Sequence, residues 1–164
     1  MKGPSLSTVK APAPKPGTPP TAVAVESLLA KADPDRGRTL FLSEGEATCA
    51  TCHQLEGVGN VFAPDLADIG SRADAAFIIR SILEPSADIT EGFAMQVVTT
   101  KAGETTGGIL LEETGRSLTF GVASGHTVEV PTADIVKRET AEVSAMPPLA
   151  GLLDAQQIAD ITAY

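Results

Sequence analysis

A chain of 164 residues sets an expectation of one domain or two small ones. Its 43% apolar content is enough for a core, and no apolar run approaches the roughly 18 residues of a membrane span, so a soluble chain without a transmembrane segment is expected. The net charge of −9 argues against nucleic acid as a partner, and two cysteines are too few for a disulfide scaffold. Aromatics are scarce, at five Phe, one Tyr and no Trp, which leaves open what fills the core.

Residues 1–27 read as a linker. The run from Lys10 to Pro20 alternates Pro with Ala, Lys, Gly and Thr, which favours extended polyproline II, as a spacer or as a recognition ligand. Lys2, Lys10, Lys15 and Glu26 give this segment +2, which puts −11 on the rest of the chain. No signal-peptide apolar core follows Met1, so the chain is expected to be a piece of a longer protein.

Asp33-Pro34-Asp35 predicts a helix start, and that helix should run to about Ser43. Gly37 within it costs about 1 kcal/mol relative to Ala, a cost that a close helix crossing would justify. Asp74 predicts the cap of a second helix to about Glu84, ended by Pro85, with Phe77, Ile78, Ile82 and Leu83 at helical spacing. Between Phe93 and Val143 the pattern turns to Val, Thr, Ile and Gly. Five strands are expected there, at 94–100, 105–112, 116–122, 127–130 and 135–141, forming a small antiparallel meander. Asp154 with Gln157 predicts a capping box for a last helix, with Leu153, Ile158 and Ile161 buried.

Cys49-Ala50-Thr51-Cys52-His53 is Cys-x-x-Cys-His, the attachment signature of c-type haem. Two thiols add across the haem vinyl groups, and the adjacent His lies beneath the iron. A redox dithiol is the competing reading, although no βαβ pattern surrounds it. Zinc is another, although it needs two more ligands at a spacing absent here. A six-coordinate haem needs a distal ligand, for which Met146, Met95 and His126 are available. Met146 is favoured because Pro147-Pro148 would hold its segment rigid. Met95 falls in a predicted strand, and His126 in a turn. Ala63-Pro64-Asp65-Leu66 is close enough for the Pro64 carbonyl to orient His53, or for Pro64 to be an ordinary turn proline.

In chain order, Gly37-Arg38-Thr39-Leu40-Phe41, Cys49 to His53, Ala63 to Leu66, Met146-Pro147 and Asp160 to Tyr164 resemble class I cytochrome c. More narrowly, Gly70-Ser71-Arg72, the stretch from Ser81 to Ser86, Gly92-Phe93 and the Gly-rich strands are similar to the haem-binding domain of planctomycete and verrucomicrobial proteins. The resemblance covers about residues 34–164. It implies a mainly α fold: a class I cytochrome c domain over 28–164, with a β meander inserted at about 94–141 between the proximal and distal ligand segments. It implies one covalent haem c, with Cys49 and Cys52 as thioether anchors, His53 as proximal ligand, Met146 as distal ligand and the Pro64 carbonyl orienting His53. Arg72 would contact a propionate, or would be a plain surface arginine. Gly37 and Tyr164 would lie where the first and last helices cross. His53 and Met146 stand 93 positions apart, wider than a small class I cytochrome needs.

The implied function is one-electron transfer, not enzymatic catalysis, as part of a larger exported, periplasmic redox protein. Its partner would be a fused dehydrogenase or a soluble redox protein with a basic docking surface. The alternative is a haem domain that binds a gas or peroxide because Met146 ligates weakly or not at all.

Overall fold

The computed structural model of the protein describes residues 19–43, 45 and 47–164. They include helices α1 (Ala22–Glu26), α2 (Pro34–Phe41), α3 (Ile69–Arg72), α4 (Ala75–Leu83) and α5 (Ala155–Ala163). They also include strands β1 (Gln54–Leu55), β2 (Val58–Gly59), β3 (Gln96–Thr100), β4 (Thr105–Glu113), β5 (Ser117–Gly121), β6 (Thr127–Pro131) and β7 (Ile135–Thr140).

The linker expected over 1–27 ends early. Thr21 caps α1 by accepting from the Ala24 N–H, and Val25 is fully buried in the helical core. Five residues are too few to show a helical period, so α1 carries no sequence signal. Most of the Pro-rich run lies in 1–18, outside the described residues.

The longer helices begin where their caps require. The Asp33 carboxylate accepts from the Asp35 and Arg36 N–H groups, with Pro34 in the first turn. Asp74 accepts from the Phe77 N–H, and α5 carries a full capping box from Asp154 and Gln157. The buried side chains of α4 are Ile79 and Ile82, whereas Phe77 is 43% exposed. Two residues of helix are about 200° of rotation, so burial of Ile79 turns Phe77 outward. The helical core gathers Val25, Ala47, Ile79, Ile82, Leu149, Leu153 and Ile158, with Cys49 and Met146 packed against its side. Each fully buried Ile or Leu contributes about 1.5–3 kcal/mol.

Helices α2 and α5 cross at Gly37, where an added Cβ would run into the Asp160 carbonyl and stand 3.0 Å from Tyr164 Cβ. Phe41 and Tyr164 meet edge to face, with centroids 5.8 Å apart. The Asp160 side chain, buried at this crossing, accepts from Arg36 Nε at 2.8 Å, Arg36 Nη2 at 3.0 Å, the Asp33 N–H at 2.9 Å and Gln156 Nε2 at 2.9 Å. Burial alone would raise this carboxyl, but the Arg36 hydrogen bonds, the Asp33 N–H and Gln156 outweigh it and hold the pKa below the ordinary value. Asp160→Ala is expected to cost about 2–4 kcal/mol, read from urea denaturation. The native carboxyl titrates below the unfolded one, so its contribution is complete above about pH 4 and is lost as pH falls through the lowered native pKa. The urea midpoint should therefore fall on acidification, less steeply in Asp160→Asn. An equally steep fall in that variant would remove Asp160 from the account.

The five later strands form one antiparallel sheet in the order β6-β5-β4-β3-β7. The first four make the expected meander, but β7 does not continue it. Pro131 ends β6, a 3-10 turn over Thr132–Asp134 carries the chain across the sheet end, and β7 pairs with β3. The Lys101 N–H bonds to the Asp134 carbonyl at 2.8 Å and fixes this crossing. Val98, Leu118, Phe120 and Val130 form a hydrophobic core within the sheet, separate from the helical one.

Candidate functional site

Thr48 adopts a left-handed conformation at φ 51°, an uncommon state for a β-branched residue, and delivers the chain into a single 3-10 turn over Cys49–Thr51. The Cys52 and His53 N–H groups both bond to the Cys49 carbonyl, at 3.1 and 2.9 Å. One tight turn therefore holds both thiols and the imidazole. The β1–β2 hairpin reverses through Glu56 and Gly57, both at positive φ, as a two-residue hairpin turn requires. A Cβ on Gly59 would run into the His53 carbonyl, so only glycine lets this strand close over the turn.

The returning chain satisfies the carbonyls of the turn. The Asn60 N–H bonds to Ala50 O at 3.0 Å and Asn60 Nδ2 to Thr51 O at 3.0 Å. The Phe62 and Ala63 N–H groups bond to Cys52 O at 3.0 and 2.9 Å. His53 Nδ1 then lies 2.8 Å from the Pro64 carbonyl, the contact expected from the sequence. A carbonyl accepts only, so the proton sits on Nδ1 and the Nε2 lone pair is left for a metal. Burial lowers the His53 pKa, although the Pro64 hydrogen bond opposes it, so the ring is held as the neutral donor.

Burial pushes the Cys49 thiol up to about 11, with the neighbouring Cys52 adding to the rise, and it raises Cys52 as well. A redox-active dithiol needs a lowered thiol pKa, and this pair moves the other way. Among the described residues, no group of three or more His, Cys, Asp or Glu is placed to hold a metal ion. Two half-buried thiols, one of them packed on the helical core, and an oriented neutral imidazole on one turn are a donor set that fits haem c.

Met146 packs against the same helical core as Cys49. Its N–H bonds to Ser144 Oγ at 3.1 Å, and the Ser144 N–H bonds to Ser86 Oγ at 3.1 Å, so the loop is tied to the end of α4. Met146 lines a half-open cleft of about 530 Å³ with Pro85, Ser86, Val143 and Pro148; Cys49, Cys52 and His53 are not in its wall. Met95 lies just before β3 with its carbonyl bonded to the Ala141 N–H, and its sulfur faces Gly107 in the sheet. His126 is exposed in the β5–β6 turn. Arg72 Nε bonds to Asp68 Oδ1 at 2.7 Å and its Nη2 to Asp65 O at 3.1 Å, which commits both groups to the loop after Pro64.

Sequence reasoning missed Asn60 and Gly59, which close the motif turn. The Glu56-Gly57 pair, a hairpin turn signal followed by a second glycine, was the available clue.

The family model for cytochrome c matches residues 34–114, from the first residue of α2 to the turn after β4. Comparison with curated proteins returned no match. No helix among the described residues is long and apolar enough to cross a membrane. The attachment turn, the oriented His53 and this match agree: residues 34–114 are similar to cytochrome c, in keeping with class I, and that likeness implies covalently attached haem c.

Proposed function

We propose that the chain is a one-electron carrier in which His53 and Met146 would ligate the haem iron, working as a domain of a larger exported, periplasmic redox protein. The observation that carries this reading is the half-buried neutral imidazole of His53, tied through Nδ1 to Pro64 O at 2.8 Å. Bound haem supplies an Fe(III)/Fe(II) couple that takes up or gives up one electron. Cys49 and Cys52 are its thioether anchors, and His53 presents Nε2 in a fixed orientation. Met146 presents a soft thioether that favours the ferrous state and raises the potential over that of a second His. The Ser144 and Ser86 hydroxyls steady the loop that carries it. Arg72, which braces the loop over 65–68, would contact a haem propionate.

The domain reading is a cytochrome c unit over 28–164 that takes the sheet as an insertion at about 94–141. The closure of the sheet supports this. Gln96 pairs with Thr140, and the Ala141 N–H bonds to Met95 O at 2.8 Å, so the segment leaves the helical part and returns at one place. The Gly-rich strands and the Gly70-Ser71-Arg72 stretch favour the planctomycete and verrucomicrobial type. Residues 42–71, which surround the motif, contain five acidic residues and no Lys or Arg, which suits a partner with a basic docking surface or a fused dehydrogenase.

Met146→Ala should remove the weak far-red thioether-to-iron band of the oxidised protein and lower the midpoint potential. If the band survives, Met146 is not the ligand. Carbon monoxide should bind the ferrous parent poorly and the variant readily. Rapid, tight binding to the parent would favour a gas- or peroxide-binding domain instead.

A further inference from the structure

Resting on the haem-attachment reading above, we propose that the β5–β6 end of the sheet braces the attachment turn, with Gly121 and Gly125 as its positioning residues. Gly121 ends β5 and is buried. A Cβ there would stand 2.7 Å from Phe62 Cγ and 2.9 Å from Cδ1, so the Phe62 ring rests directly on the β5 backbone. Phe62 is itself anchored to the motif, because its N–H bonds to the Cys52 carbonyl. Gly125, at φ 79° in the turn from β5 to β6, makes the second contact. Its Cβ would stand 3.1 Å from Thr51 Cγ2 and 3.9 Å from Asn60 Nδ2. Thr51 lies between the two cysteines, and Asn60 Nδ2 holds the Thr51 carbonyl. The hydrogen bonds from the Val122 N–H to His126 O at 3.0 Å and from the Gly125 N–H to Val122 O at 2.9 Å close the turn that carries Gly125.

Both contacts join segments distant in sequence, and both work only because the sheet side offers no side chain. Their shared target is the loop whose N–H groups satisfy the carbonyls of Ala50 and Cys52. The sheet therefore does two things at this point. It removes water from one side of the attachment turn, and it holds the donors of Asn60, Phe62 and Ala63 on the turn. A drier, stiffer surrounding disfavours the more highly charged oxidised state, so the brace holds the potential up. A merely stabilising sheet would raise the melting temperature and leave the potential alone.

The test compares Gly121→Ala, Phe62→Ala and the double variant with Gly115→Ala, a control glycine in the β4–β5 turn with nothing within 4 Å of its Cβ. Midpoint potential, thermal stability and amide hydrogen exchange are measured on each haem-loaded protein. Gly121→Ala should lower the potential and speed exchange at Asn60, Phe62 and Ala63 by about tenfold. The control should do neither. The double variant relieves the collision but leaves the ring contact missing, so stability should recover while the potential stays low. A potential that tracks stability across the set, or exchange unchanged at those three amides, overturns the brace. If Gly121→Ala does not fold, Phe62→Ala alone decides: the same fall and the same faster exchange are expected, and their absence overturns the proposal. Absence of covalent haem in the denatured parent protein would instead overturn the functional reading.

Discussion

Deprived of its haem by the double change Cys49→Ala and Cys52→Ala, the chain is expected to lose its helical part and keep much of its sheet. The two hydrophobic cores are separate. One gathers Val25, Ile79, Ile82, Leu149, Leu153 and Ile158, with Cys49 and Met146 at its side; the other lies within the sheet around Val98, Leu118, Phe120 and Val130. Haem c, larger than any side chain, would on the proposed attachment at Cys49 belong to the first. Removing a buried Phe or Trp side chain already costs about 3–5 kcal/mol, and losing a larger core group should cost more than that. It also explains a chain so poor in aromatic residues, since the cofactor occupies space that they would otherwise fill. The sheet core loses nothing directly, although a unit of some 45 residues is near the size below which domains seldom fold alone. Far-UV circular dichroism should show lost helix, with the Ile79 and Ile158 amides exchanging freely and those of Val98 and Phe120 still slowed. Equal protection in both cores would show that haem is no part of the helical core.

Gly37→Ala should destabilise the protein by about 3 kcal/mol or more, against what helix propensity alone predicts. In an open helix that change gains about 1 kcal/mol. Here the new methyl meets the Asp160 carbonyl, a backbone atom that already accepts from the Tyr164 N–H and cannot swing aside. Relief requires α5 to move off α2, which opens the Phe41–Tyr164 contact and the Arg36–Asp160 ion pair together. Gly70→Ala is the matching control. It lies in α3 with open space at its Cβ, so it should gain up to about 1 kcal/mol. Urea denaturation of the two variants should show shifts of opposite sign. A shift of the same sign in both would mean that the α2–α5 crossing is looser than the geometry indicates.

What the sequence made legible was local. Asp33, Asp74 and the Asp154–Gln157 pair set helix starts because a cap needs only its own first turn. The strands of the sheet were readable from Gly turns and alternation, to within two residues at most ends. The His53–Pro64 contact, eleven positions apart, follows from one loop. Distant pairings were not legible. Nothing near β7 says that it will pair with β3, because that depends on where a 3-10 turn sends the chain. Asp160 looks like any acid on a helix until Arg36, 124 positions away, is brought beneath it. The Arg72 contacts with Asp65 and Asp68 lie within one loop, but nothing in the local pattern singles out those two acids. Helical spacing groups Phe77 with Ile78, Ile82 and Leu83, but which face of α4 packs inward is decided by tertiary contacts that bury Ile79 instead.

The hydrogen bond between Ala141 and Met95 bears on how the chain folds. Helices α4 and α5 are separated by more than seventy residues, and a contact that distant is normally slow to form because the intervening loop must first be closed. Once β3 and β7 zip together, positions 95 and 141 become neighbours and the loop between the two helices contracts to a few short segments. The sheet then acts as a clasp. Formed ahead of the helical packing, it would turn a high-contact-order search into a more local one.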